Sequence, residues 1–351
     1  MDYRSLGRSG MQVSELCLGT MLFGAWGEPD HDVCIKIIHR ALDAGINFID
    51  TADMYARGES EVVVGKALAG GRRDDVILAT KFHRPMDVDL GGPGGDPNKR
   101  GNSRRWIVAE IENSLRRLDT DWIDLYQVHR PDPDTDLEET ISALTDLQRQ
   151  GKIRAFGTST FPAHQLVEAQ WVAEKRALGR FVSEQPPYSL LARAVESDVL
   201  PVAQQYGLGV IAWSPLASGW LTGRYRKGHD VPRPRRADIN PALYDMSDPG
   251  NRAKLDAADA LAVLATEAGM SLIHMALAFV LQHPAVSAPI IGPRTMEQLE
   301  GQLGAVDLSL PTDVLDRIDE IVPPGLTFSR ADAGYEPPSL SDPFVRRRRT
   351  R

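Results

Sequence analysis

Four residues carry groups that can act together on a polar double bond: Asp50, Tyr55, Lys81 and His129. Asp50 closes the apolar run Phe48-Ile49, Lys81 follows Val76 to Thr80, and His129 follows Ile123 to Val128. Tyr55 stands five positions beyond Asp50 in the polar stretch Thr51-Ala52-Asp53-Met54. A tyrosine holds its proton until about pH 10, and a neighbouring ammonium eases its release. Lys81 can supply that ammonium, and Asp50 can pair with Lys81 and limit the cost of burying it. Neutral His129 can donate a hydrogen bond to a carbonyl oxygen. Such a set polarises a C=O and delivers a proton as negative charge grows on the oxygen. It contains no nucleophile, and no metal-ligand spacing accompanies it. The missing electron pair is most simply a hydride from a nicotinamide.

These residues need a scaffold that brings successive strand ends together. Ala155 to Thr158 ending at Ser159 repeats the pattern, and Leu16-Cys17-Leu18, Phe181 to Gln185, Gly209 to Trp213 and Ala288 to Ile291 complete eight short apolar strands. Helical periodicity lies between them, as in Asp32–Ala44, Ser60–Leu68 with Ser60 as N-cap, and Ser103–Leu118. Eight alternating units predict an α/β fold: a (β/α)8 TIM barrel over residues 1–324, opened by a hairpin about Gly7–Gly10 and followed by extra C-terminal helices. A doubly wound sheet would want a Gly-x-Gly-x-x-Gly turn, which Gly19 to Gly24 does not supply. Residues 83–102 and 214–250 read as long loops, the first a candidate lid. Residues 325–351, proline-rich and then arginine-rich from Arg346 to Arg349, read as a solvated, frayed tail, with binding of an anionic partner as the alternative.

The second half offers room for a nucleotide. Trp213 can stack on a flat ring or serve the core. The small residues from Ser214 to Gly223 can wrap a pyrophosphate. Gly292 and Arg294 lead from the last strand into a helix N-terminus, where barrels favour phosphate. Arg294 there suggests NADPH over NADH. A net charge of −8 gives no footprint for nucleic acid. No run of about 18 apolar residues predicts a membrane span. The polar N-terminus and two cysteines, Cys17 and Cys34, suggest a cytoplasmic protein without disulfides. Oligomeric state is not legible.

The ordered stretches Leu18-Gly19-Thr20-Met21, Asn47 to Tyr55, Ala79-Thr80-Lys81, Asp124 to His129, Gly157-Thr158-Ser159, Glu184 to Leu191, Ser214-Pro215-Leu216 and Glu297 to Glu300 resemble an aldo-keto reductase from Tyr3 to about Pro324. The resemblance is to the bacterial branch that includes potassium-channel beta subunits. It implies an NAD(P)H-dependent reductase of aldehydes or ketones with the tetrad Asp50, Tyr55, Lys81 and His129, Tyr55 being the acid. It places Ser159 and Gln185 on the nicotinamide carboxamide and Trp213 against the ring. Ser214, Leu216, Ser218, Gly219, Leu221 and Arg224 would surround the pyrophosphate, and Arg294, Gln298 and Gln302 the adenosine end. Thr20 and Met21 would lie near Asp50. Thr160 stands where the family usually has Asn. Gly301 and Gln302 replace its adenine-binding acid and Asn, so NADH stays open beside NADPH. A cofactor-holding regulatory protein on the same fold is the alternative function. Phe23, Trp26, Phe82, His83 and Arg130 follow strands and are the candidate substrate contacts, suggesting an aromatic or polar-aromatic carbonyl compound.

Overall fold

The computed structural model describes residues 1–86, 95–229, 234 and 236–347. Strands β1 (Tyr3–Ser5) and β2 (Gln12–Ser14) pair antiparallel as a hairpin. Eight parallel strands then close into a barrel: β3 (Cys17–Gly19), β4 (Phe48–Asp50), β5 (Ile77–Phe82), β6 (Ile123–Val128), β7 (Ile153–Ser159), β8 (Ser183–Gln185), β9 (Gly209–Ala212) and β10 (Val286–Ile291). They follow chain order around the barrel, β10 pairing with β3. The intervening helices are α1 (His31–Asp43), α2 (Glu59–Leu68), α3 (Arg104–Leu118), α4 (Leu137–Arg149), α5 (Ala163–Arg176) and α6 (Val199–Tyr206). After β9 come the short α7 (Arg236–Ile239), then α8 (Pro249–Glu267) and α9 (Leu272–Gln282); α10 (Met296–Leu303) and α11 (Thr312–Ile321) follow β10. Among the described residues no single helix is long and apolar enough to cross a membrane.

The strands are apolar on both faces because both are covered. Outward residues meet helices: α3, capped by Ser103 accepting from the Trp106 N–H, buries Ile107, Ile111, Leu115 and Leu118. Each such side chain contributes about 1.5–3 kcal/mol when fully withdrawn from water. Inward residues form a separate cluster in which Phe48, Leu125 and Ile211 interlock with Ala79, Ala155 and Ala288. Leu6 and Val13 of the hairpin join this cluster and plug the N-terminal end of the barrel.

The plug rests on Gly7, whose φ is +54°. A Cβ there would stand 2.5 Å from the Gly209 nitrogen and 2.6 Å from the carbonyl oxygens of Gly207 and Val182. All three are backbone atoms and cannot swing aside. Gly7→Ala is expected to destabilise the protein by about 2–3 kcal/mol in urea unfolding.

Two expectations change here. Ser60 is not the N-cap of α2; Gly58 holds that position. The Ser60 hydroxyl is buried and bonds to Thr20 and Thr51, tying the loops after β3 and β4 together. The segment after Pro324 also does not leave the barrel frayed. Asp332 is buried and pairs with the buried Lys254 of α8 at 2.8 Å. Residues 87–94 of the expected lid, Arg233 and Arg235 of the basic loop, and residues 348–351 of the tail lie outside the described residues.

Candidate active site

At the C-terminal mouth of the barrel the parallel ladder continues past β4. The Thr51 N–H donates to the Ala79 carbonyl (2.9 Å) and the Asp53 N–H to the Lys81 carbonyl (3.1 Å), which locks this loop alongside β5. The chain then reverses through Ala56, Arg57 and Gly58, all at positive φ. Two non-glycine residues in that region mark stored strain. The reversal sets Tyr55 above Lys81.

The Lys81 Nζ donates to Asp50 Oδ1 (2.5 Å), to the Thr51 carbonyl (2.9 Å) and to Tyr55 Oη (3.2 Å). Asp50 Oδ2 accepts from the side-chain amides of Gln127 (3.0 Å) and Gln185 (2.8 Å), and Gln185 also donates to Gln127 Oε1 (3.1 Å). Both oxygens of the buried carboxylate therefore have donors, the condition under which a buried ion pair is tolerated. Burial acts to lower the Lys81 pKa, but the Asp50 charge and the Tyr55 contact together hold it above its ordinary value. Lys81 is a fixed cation. Burial, then the charges of Arg130, Lys81 and Arg84, push His129 well down, so its imidazole is neutral. Its ring stands edge-on to Tyr55, 6.0 Å between centroids. Its Nδ1 is buried with no protein partner among the described residues.

These groups open into a cavity of about 1190 Å³. Asp50, Tyr55 and His129 line one end, while Lys81 lies just beneath its surface. Thr20, Met21, Ser159, Gln185, Trp213, Ser214, Leu216, Ser218, Gly219, Arg224, Gly292, Arg294, Gln298 and Gln302 all line it, as do Trp26 and Arg130. Leu221 does not: it is fully buried beneath the loop. Phe23, Phe82 and His83 also do not line the cavity. Side chains alternate along a strand, so Phe82 points away from the mouth beside inward Lys81 and packs on Tyr126 at 4.7 Å. Phe23 turns back into the core. His83 is spent on Asn102 (2.9 Å), and burial brings its pKa down to about 4.

The loop after β9 is held by residues the sequence did not single out. Trp220 stacks on Tyr225 (4.3 Å) and Tyr244 (6.2 Å), with the Lys254 ammonium 4.7 Å from its ring centroid. Tyr244 donates to the Ser218 carbonyl (2.7 Å). Ser214, Ala217, Ser218 and Gly219 all have positive φ, a backbone form suited to cradling an anion. The Arg236 guanidinium crosses the mouth to within 3.8 Å of Met21 Sδ. Gly334 rests on Trp213, where a Cβ would come within 2.4 Å of the indole. Gln127 and Gly334 were likewise assigned no role from sequence.

The residues present fit a dinucleotide. Among the described residues no carboxylate pairs with Arg224 or Arg294. Cβ positions at Gly292 and Gly301 are open, leaving room beside the Thr295-capped start of α10. Thr160 lies at positive φ with its hydroxyl 3.3 Å from Ser159.

Behind Ser159 sits Glu184, fully buried, accepting from the Thr158 hydroxyl (2.5 Å) and the Phe161 N–H (3.1 Å). Burial raises its pKa from about 4.5 to about 7. Between those values the folded state keeps a proton that the unfolded chain releases, so this group's contribution to stability falls as pH rises through the window and is level above it. Subtracting the unfolding free energy of Glu184→Gln from that of the native protein is expected to give a difference that drops by roughly 3 kcal/mol across this window. A flat difference would show that Glu184 is ionised throughout.

The model of the Aldo/keto reductase family matches residues 15–323. The chain is 42% identical over 334 residues to an uncharacterized oxidoreductase, YrpG, of Bacillus subtilis (strain 168), covering 92% of this chain and 96% of that one. It is 38% identical over 335 residues to a probable voltage-gated potassium channel subunit beta of Oryza sativa subsp. japonica, covering 92% and 97%. It is 38% identical over 304 residues to the aldo-keto reductase YhdN of Bacillus subtilis (strain 168), covering 86% and 87%.

Proposed function

This chain belongs to the aldo/keto reductase family, and from that premise we propose that it is an oxidoreductase that reduces an aldehyde or ketone to the alcohol with NADPH. The observation that carries the proposal is the Lys81 ammonium held 2.5 Å from Asp50 and 3.2 Å from the Tyr55 hydroxyl, with neutral His129 beside them. NADPH, when bound, supplies a hydride. The chain's own residues do the rest. Tyr55 Oη gives its proton to the carbonyl oxygen, and Lys81 stabilises the phenolate left behind. Asp50, fixed by Gln127 and Gln185, holds Lys81 at that position. His129, uncharged, orients the oxygen by a hydrogen bond without competing as an acid. Trp213 offers an aromatic face for the ring, Ser159 and Gln185 polar groups for its amide, and Ser214 to Gly219 with Arg224, Arg294 and Gln298 the donors and charge for its phosphates. Gln302 and the open Gly301 stand at the adenine end, the weakest basis for choosing NADPH over NADH. The substrate is a small molecule, and the site of action proposed is the cytoplasm.

The test is nucleotide consumption at 340 nm with a panel of aromatic aldehydes, NADPH and NADH run in parallel. Turnover that depends on aldehyde supports the proposal; nucleotide binding with no turnover of any aldehyde overturns it. That second outcome favours a cofactor-holding regulatory protein, the alternative to which the likeness to the rice chain points.

A further inference from the structure

We infer that the carbonyl substrate carries an anionic group, a carboxylate or phosphate, received by the guanidinium groups of Arg84 and Arg130 on the cavity wall beside Tyr55 and His129. The inference rests on the reductase reading and narrows its substrate class. Arg84 stands three residues beyond Lys81 and Arg130 one beyond His129, and both line the cavity. The Nε of each is buried and has no hydrogen-bond partner, and among the described residues neither forms an ion pair. Arg130 Nη1 donates to the His129 carbonyl (2.6 Å) and lies 3.5 Å from Ser159 Oγ, which fixes the guanidinium and leaves its remaining donors without a protein acceptor among the described residues.

The nearby acids are weak counter-charges: Glu184, whose field reaches Arg130, is fully buried and drawn up to about 7. The Asp50 carboxylate is committed to Lys81. Asp53, the acid whose field reaches Arg84, is fully buried, and its pKa is pushed well up by burial and then by Glu110 and Glu61, which weakens it as an anion. Burial and the nearby Arg84 bring Arg130 down to about 10. Two like charges held side by side and partly withdrawn from water, with no acid paired to either, form a favourable place for a ligand's anionic group. Arginine's planar fork suits carboxylate and phosphate.

A bound dinucleotide does not answer this need. In the closed barrel β5 and β6 lie opposite β9 and β10. The cradle Ser214–Gly219 follows β9 and Arg294 follows β10, so phosphates held there are across the cavity from Arg84 and Arg130. Arg130 borders the place proposed for the nicotinamide, 3.5 Å from Ser159 Oγ and 6.0 Å from the Trp213 ring centroid, but that ring carries no anionic group, so an anion that meets both guanidinium groups comes with the molecule that meets Tyr55.

The experiment uses the full chain and two readouts. Calorimetry compares 3- and 4-(hydroxymethyl)benzoate with their methyl esters, with and without NADP⁺. Steady-state kinetics compares 3- and 4-carboxybenzaldehyde with their methyl esters. At least one acid is expected to be favoured over its ester by about tenfold or more in binding and in kcat/KM, chiefly through KM. The preference is expected to shrink to about twofold in Arg84→Gln and to return in part in Arg84→Lys. Equal binding of acids and esters overturns the inference, as does a preference unchanged in both Arg84→Gln and Arg130→Gln. Acid preference in binding without turnover of any aldehyde upholds the anion site and removes the reductase reading instead.

Discussion

Tyr55→Phe is expected to lower kcat for aldehyde reduction by about a hundredfold to ten-thousandfold, the range that a positioned general acid contributes. The substitution removes one oxygen and keeps the ring. The contacts of that ring with Trp26 (6.4 Å), with His129 and with the Lys81 ammonium (4.9 Å from its centroid) therefore survive. Tyr55 follows β4 and is not among the residues proposed to hold the nucleotide, so NADPH affinity should stay within about twofold, a factor smaller than one hydrogen bond usually makes. Loss of turnover with retained affinity places the defect in proton delivery. Full turnover in Tyr55→Phe would mean that some other group protonates the oxygen.

Lys81→Met is expected to do two kinds of damage. The side chain is wholly buried, and its ammonium is the counter-charge of Asp50. Methionine fills a similar volume but leaves the Asp50 carboxylate with only the amides of Gln127 and Gln185. Breaking a buried pair on one side costs about 3–5 kcal/mol, because the other charge stays behind. Urea unfolding should show a loss of that order. Turnover should fall at least as far as in Tyr55→Phe, since the phenolate loses its stabilising charge. Adding Asp50→Asn to Lys81→Met should recover much of the stability and none of the activity, a coupling that a double-mutant cycle reads directly. Stability unchanged in Lys81→Met would show that Asp50 and Lys81 are not an ion pair.

The convergence of Asp50, Tyr55, Lys81 and His129 was legible because it depends on residue type and on placement at strand ends, both visible in one dimension. Asp50, Lys81 and His129 each follow an apolar run, and a closed parallel barrel makes such ends neighbours. Gln127 was hidden because an amide two residues before His129 carries no charge to draw notice; only its register opposite Lys81 on β5 brings it to Asp50. Phe82 adjoins Lys81 in sequence but not at the site, because a strand sends consecutive side chains to opposite faces. The fold-back of the tail was illegible for another reason. Its anchor, Asp332, is paired with a residue 78 positions earlier, and proline-rich composition gives no sign of such a contact. The aromatic stack of Trp220, Tyr225 and Tyr244 likewise spans a segment whose composition reads as loop.

The proposed reaction passes a hydride to a carbonyl carbon while Tyr55 protonates the oxygen. The most direct test is to incubate the protein with an aromatic aldehyde and NADPH deuterated at the transferable C4 position, beside the same mixture with Tyr55→Phe, and to examine the alcohol by NMR. One deuterium on the carbinol carbon of the product is expected, with loss of product in the variant. An alcohol without deuterium, or equal product from the variant, would contradict it.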